Sequence, residues 1–223
     1  MSLPPRARVV VLAGPSGAGK SRLAARLHAS HGWPIVRLDD FYRDEDDPAL
    51  PRSEELGIVD WDHPDSWDGQ AALEALTTLV DSGKVETPVY DIARSRAVDT
   101  TTVTARPDDL VLAEGIFAAE VIGDLRARGL LAGAYCVHHR PVVTFARRLV
   151  RDLREHRKPP WTLVRRGLAL MRDEPRVVAR QEALGAVPAR AKDLEPLLST
   201  LAARPGPTDE GTDKAARRDA GSW

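Results

Sequence analysis

Asparagine is absent from all 223 residues. The chain therefore carries no glycosylation sequon, and it lacks the Asn-Lys-x-Asp element with which GTPases read guanine. Cysteine occurs once, as Cys136, which excludes an internal disulfide and a cysteine-rich zinc site and points to a reducing compartment. Only five of the 32 basic residues are lysines. No apolar run reaches the ~20 residues that a membrane helix needs. The segment Met1–Ala13 is too short and wrongly flanked for a signal peptide, so a cytoplasmic protein is expected. A formal net charge of −1 argues against a nucleic-acid binder driven by bulk positive charge.

What is present is an ordinary globular composition, 43% hydrophobic and 29% charged, in a chain long enough to bury a core without staples. Arg8–Ala13, Pro34–Leu38, Leu110–Ala113 and Ala134–Val137 read as short buried strands. Ser21–Leu27, Gln70–Leu79 and Ala118–Arg128 carry helical spacing, and Val98–Thr104 reads as half of a hairpin. Strands alternating with helices predict an α/β fold with a parallel sheet between helical layers. An Arg-rich helical stretch begins near Val142, and the Pro/Gly-rich run from Arg204 reads as a disordered tail. We expect one domain over 1–203 and a tail over 204–223.

Charge is segregated. Residues 39–68 hold twelve acids against two arginines, whereas residues 140–192 hold fourteen bases against five acids. Two solvated surfaces would explain this. So would an acidic wall handling metal and hydroxyls that faces a basic segment handling phosphate.

Gly14-Pro15-Ser16-Gly17-Ala18-Gly19-Lys20-Ser21 fits G-x-x-x-x-G-K-[ST] between a strand and a helix. Glycines there let backbone N–H groups converge on phosphate, and the helix N-terminus adds partial positive charge. Lys20 is placed to reach the β- and γ-phosphates, and the Ser21 hydroxyl to ligate Mg²⁺. These residues predict an ATP site. Asp39, just past a strand, stands where open α/β sheets bind ligands and could accept a hydroxyl proton, with Asp40 the alternative if the loop shifts by one. Glu114 ends an apolar strand, where a carboxylate holds Mg²⁺ directly or through water.

Taken together, the phosphate loop, Asp39-Asp40-Phe41-Tyr42, Trp61-Asp62-His63-Pro64-Asp65-Ser66-Trp67-Asp68, Pro88-Val89-Tyr90-Asp91, Glu114-Gly115-Ile116 and Arg147-Arg148-Leu149-Val150-Arg151-Asp152 resemble the uridine kinase family, which is related to phosphoribulokinase and bacterial pantothenate kinase. The resemblance implies a P-loop NTPase fold with a small β-hairpin insertion and an Arg-rich lid at about 147–162. It implies Asp39 as general base, Asp62 on the two ribose hydroxyls, and Tyr42 and Tyr90 lining the acceptor pocket. Glu114 would hold metal, and Arg147, Arg148 and Arg151 would close on the triphosphate. His63, Trp61 and Trp67 read as residues that hold their loop together. The family's base-reading histidine is missing, and Arg94 stands near its place, either binding an anion or lying on the surface. The implied function is ATP- and Mg²⁺-dependent transfer of the γ-phosphoryl to a primary hydroxyl, best the 5′-hydroxyl of a nucleoside such as uridine or cytidine. The alternatives are a same-fold kinase for a non-nucleoside, even anionic, alcohol, and a P-loop ATPase or switch. The expected partner is a small-molecule alcohol, with no nucleic acid or membrane, and a homo-oligomer stays open.

Overall fold

The computed structural model describes residues 6–52, 58–138 and 175–202. The Arg-rich stretch with Arg147, Arg148 and Arg151, and the tail from 204, lie outside the described residues. Among the described residues there are seven strands: β1 (Arg8–Ala13), β2 (Ile35–Arg37), β3 (Lys84–Asp91), β4 (Arg96–Thr104), β5 (Leu110–Glu114), β6 (Leu131–Val137) and β7 (Val187–Ala189). The helices are α1 (Lys20–His31), α2 (Gly69–Ser82), α3 (Ile122–Ala127), α4 (175–183) and α5 (Ala191–Ala202).

Five strands form a parallel sheet in the order β2-β5-β1-β6-β7. β1 is buried on both faces because its side chains are apolar at every position from Val9 to Ala13. Val9, Val11 and Ala13 face the core beneath α2 and α3, while Val10 and Leu12 face the core beneath α1 and α5. This is the three-layer α/β P-loop arrangement expected. Ligands in such sheets bind beyond the carboxyl ends of the strands, and here β1, β2 and β5 end side by side.

α2 begins where Asp68 accepts from the Ala71 N–H at 2.9 Å and ends at left-handed Gly83. The Val98–Thr104 expectation belongs to a two-stranded antiparallel hairpin, β3–β4, that stands apart from the main sheet. The stretch expected as one helix over 118–128 opens as a 3-10 turn, Ala118–Val121, before α3.

Candidate active site

The exit of β1 requires glycine. A Cβ on Gly14 (φ +139°) would sit 2.2 Å from the Val137 carbonyl oxygen of the neighbouring β6. The chain then turns through Gly17 (φ 84°) to Gly19 (φ 98°), which caps α1. Lys20, first residue of α1, is only 6% exposed, and its Nζ donates to Gly14 O at 2.8 Å and Pro15 O at 3.2 Å. The ammonium is thus folded across the mouth of its own loop.

β5 lies between β1 and β2, with Glu114 in register with Leu12 on one side and Arg37 on the other. Glu114 is 5% exposed, and the Ser21 hydroxyl donates to its Oε2 at 3.1 Å. Burial pushes the Glu114 carboxyl above the ordinary range against the lowering effect of Lys20, and Asp39 adds to the rise. Asp39 arrives from β2 on a 3-10 turn, Leu38–Phe41, and its Oδ1 accepts the Ile116 N–H at 2.7 Å. Gly115, between Glu114 and Ile116, leaves room for that approach, because a Cβ there would stand 2.8 Å from Asp39 Oδ1. Ser21, Glu114 and Asp39 are therefore gathered at one edge of the sheet. Asp40 turns the other way, with its Oδ1 accepting the Tyr90 N–H at 3.5 Å, and partial burial raises its pKa.

Tyr42 lies beside Asp39 under an aromatic group. Its ring is 6.0 Å from Trp61, 5.8 Å from Tyr90 and 6.0 Å from Phe117. Burial raises the Tyr42 phenol well above its ordinary pKa, and the charges of Asp39 and Asp62 push the same way. Burial, with Asp44 and Glu45, lifts Tyr90 to about 12, and its hydroxyl donates to Arg43 O at 3.0 Å. Both tyrosines are therefore neutral hydrogen-bonding groups at physiological pH.

Exposed Asp62 sits on a loop fixed from several sides. The Ser66 hydroxyl lies between Trp61 O (3.2 Å) and His63 O (2.7 Å), and His63 Nδ1 accepts the Asp65 N–H at 3.2 Å. Buried Trp67 donates its indole N–H to Leu38 O, tying this loop to the turn that carries Asp39. Arg94 lies in the hairpin turn, 70% exposed, with its Nε 3.5 Å from Asp91 Oδ2.

Three residues beside the site went unmarked in sequence. Phe117 closes the aromatic group. Arg37, the register partner of Glu114, lowers the pKa of both Glu114 and Asp40. Gln181 on α4 donates to Ile116 O at 3.0 Å. Phe117 could have been found from its place next to Glu114-Gly115-Ile116; Gln181, 65 residues from its partner, offered no local signal.

The donor set suits a magnesium–nucleotide. A hydroxyl and a carboxylate oxygen 3.1 Å apart are hard ligands of the kind Mg²⁺ takes alongside water and phosphate. Among the described residues no cluster of three or more metal-binding side chains forms a protein-only cage.

Comparison with known proteins shows the family. Residues 9–158 match the model of the phosphoribulokinase/uridine kinase family. A uridine kinase of Clostridium botulinum (strain 657 / Type Ba4) is 30% identical over 168 residues, covering 74% of this chain and 78% of that protein. The uridine kinase of Geobacillus kaustophilus (strain HTA426) is 30% identical over 167 residues, covering 74% and 76%. Among solved structures, a candidate fructose transport system kinase from Silicibacter sp. TM1040 superposes with a TM-score of 0.59 at 22% identity, over 79% of this chain and 86% of that one. With its phosphate loop, parallel sheet and family match in hand, the chain is a P-loop kinase belonging to the phosphoribulokinase/uridine kinase family.

Proposed function

We propose that this kinase transfers the γ-phosphoryl of ATP to a primary hydroxyl, with the 5′-hydroxyl of a nucleoside such as uridine or cytidine as the acceptor. One observation carries the reading. Asp39 and Glu114 flank Gly115, and Glu114 is hydrogen-bonded to Ser21 of the phosphate loop.

In this reading the amides of Gly14–Ser21 and the Lys20 ammonium hold the triphosphate, Lys20 leaving its carbonyl partners for phosphate oxygens. Ser21 and Glu114 would hold Mg²⁺, which supplies charge neutralisation at the β- and γ-phosphates. Asp39 takes the acceptor's hydroxyl proton as the new O–P bond forms and the γ-phosphorus parts from the bridging oxygen, which leaves with ADP. The hydrogen bond it accepts from the Ile116 N–H keeps the carboxylate aimed. Asp62 accepts from both hydroxyls of a cis-diol, and Tyr42 and Tyr90 form an apolar wall with neutral polar tips. Arg147, Arg148 and Arg151 are assigned by sequence alone to the developing phosphoryl charge, a role worth about 10³–10⁵ in rate where an arginine finger acts.

The sign of the described acceptor side favours an uncharged alcohol over an anionic one. The charges that act on Tyr42 and Tyr90 are those of Asp39, Asp62, Asp44 and Glu45. Arg94, the cation that would read an anion, is paired with Asp91 in the hairpin turn.

The test is ADP release from Mg²⁺-ATP over a panel of nucleosides, pantothenate-like alcohols and sugars, with Lys20→Ala as the blank. Release that requires uridine or cytidine is the expected result. Release at the same rate in water alone overturns the reading in favour of an ATPase or switch, and release only with an anionic alcohol overturns the choice of acceptor.

A further inference from the structure

Ile116 links two halves of the molecule. Its N–H donates to Asp39 Oδ1 at 2.7 Å, and its carbonyl accepts from Gln181 Nε2 at 3.0 Å. The two peptide planes on either side of the Ile116 Cα are thus held by different side chains, one from the turn after β2 and one from α4. The residue before Gln181 reinforces the attachment. Arg180 pairs with Glu120 at 2.7 Å, and the Glu120 N–H returns to Phe117 O at 2.9 Å. α4 is therefore fastened twice to the segment that leaves β5.

Gln181 is an unusual choice for this place. It is 5% exposed, and among the described residues its Oε1 is buried without a hydrogen-bond partner. Turning the amide over would not help, since it would set Oε1 against the Ile116 carbonyl, acceptor against acceptor. A leucine or methionine would fill the same space without burying an unpaired side-chain oxygen, though it would take the donor from the Ile116 carbonyl. Residues that break such a rule are expected where the group is kept for something other than packing. Here the group kept is the amide donor on Ile116.

We infer that Gln181 is a positioning residue for phosphoryl transfer: by holding the Ile116 carbonyl it fixes the peptide N–H that orients the Asp39 carboxylate. This rests on the reading of Asp39 as the base. Gln181 acts through Ile116, and a small misplacement of a reacting group costs about 10²-fold in rate.

The experiment compares full-length wild type, Gln181→Met, Gln181→Leu, Asp39→Asn and the Asp39→Asn/Gln181→Met double variant. The readouts are thermal stability, hydrogen exchange at the Ile116 amide, and ADP release with uridine or whichever panel alcohol gives turnover. Methionine nearly conserves volume and removes the unpaired oxygen. The expected result is a Gln181→Met protein with a Tm close to wild type, because removing the unpaired oxygen offsets the donor that the Ile116 carbonyl loses. It should exchange its Ile116 amide roughly ten- to a hundredfold faster and lose about 10–10²-fold in kcat, with KM for ATP within about twofold. In the Asp39→Asn background the same change should cost little more, because both act through one carboxylate. Unaltered Ile116 exchange in Gln181→Met overturns the proposal. So does a kcat loss that recurs in full on Asp39→Asn, or one that appears only in a protein that has lost stability. Should Asp39→Asn alone keep wild-type turnover, the base assignment fails instead, and Ile116 exchange still decides whether Gln181 holds that peptide.

Discussion

Gly115→Ala probes the site at its tightest point. A Cβ at position 115 would lie 2.8 Å from Asp39 Oδ1, 3.0 Å from Leu38 Cβ and 3.3 Å from the Asp39 nitrogen. The first contact is about 0.6 Å inside ordinary van der Waals separation. Leu38 is fully buried and cannot retreat, so the displacement falls on Asp39. A shift of that size stretches the 2.7 Å bond from Ile116 beyond good hydrogen-bond geometry. Losing a hydrogen bond to a charged group costs about 1.5–3 kcal/mol, and the overpacking itself about 1–3 kcal/mol. If one to two tenfold steps of that reach the transition state, kcat falls about 10–10²-fold. None of the three close atoms belongs to the phosphate loop, so ATP affinity should stay near wild type. Acceptor-dependent ADP release, with nucleotide binding followed by titration calorimetry, separates the two effects. A Gly115→Ala protein with wild-type kcat would refute the claim that Asp39 must occupy this position.

Further outcomes follow from the same geometry. Burial raises the carboxyl pKa of Asp40 and Glu114, so between the ordinary carboxylate range and those raised values the native protein holds protons that the unfolded chain has released. Without magnesium, stability should therefore fall as pH rises through that window, and urea denaturation should show a shallower decline in Asp40→Asn. Trp67→Phe removes the indole donor to Leu38 O and should cost about 1 kcal/mol, whereas Trp67→Ala should cost about 3–5 kcal/mol by thermal unfolding. Chelation by EDTA should abolish turnover, and Ser21→Ala should raise the magnesium concentration needed for half-maximal rate.

The phosphate loop and the strands flanking it were legible because their constraints are local. Glycine spacing, a β-branched run and a helix start lie within Arg8–Leu27. Asp39, Glu114 and Ser21 were also readable singly, since each ends or begins an element at the sheet's carboxyl edge. Their joining followed from the family resemblance and not from local pattern, because it depends on β5 lying between β1 and β2. β7 and α5 escaped for a different reason. β7 is three residues with Pro188 at its centre, tolerated because it is an edge strand bonded to β6 on one side. α5 contains Pro196, a breaker by local rules. The helix persists because Leu194 and Leu198 are buried against α1, where Arg26 also pairs with Glu195 at 3.1 Å and His31 bonds Ser199 at 2.9 Å. Tertiary packing overrode propensity there, and the same kind of remote contact hid Gln181.

The measurement closest to the central claim is a single-turnover experiment on Asp39→Asn, with Mg²⁺-ATP already bound and uridine added in a rapid-quench apparatus. The account predicts ATP binding like wild type and a phosphoryl-transfer step slower by about 10²–10⁴-fold, the range for losing a general base. Transfer to uridine at the wild-type rate in that variant would contradict it.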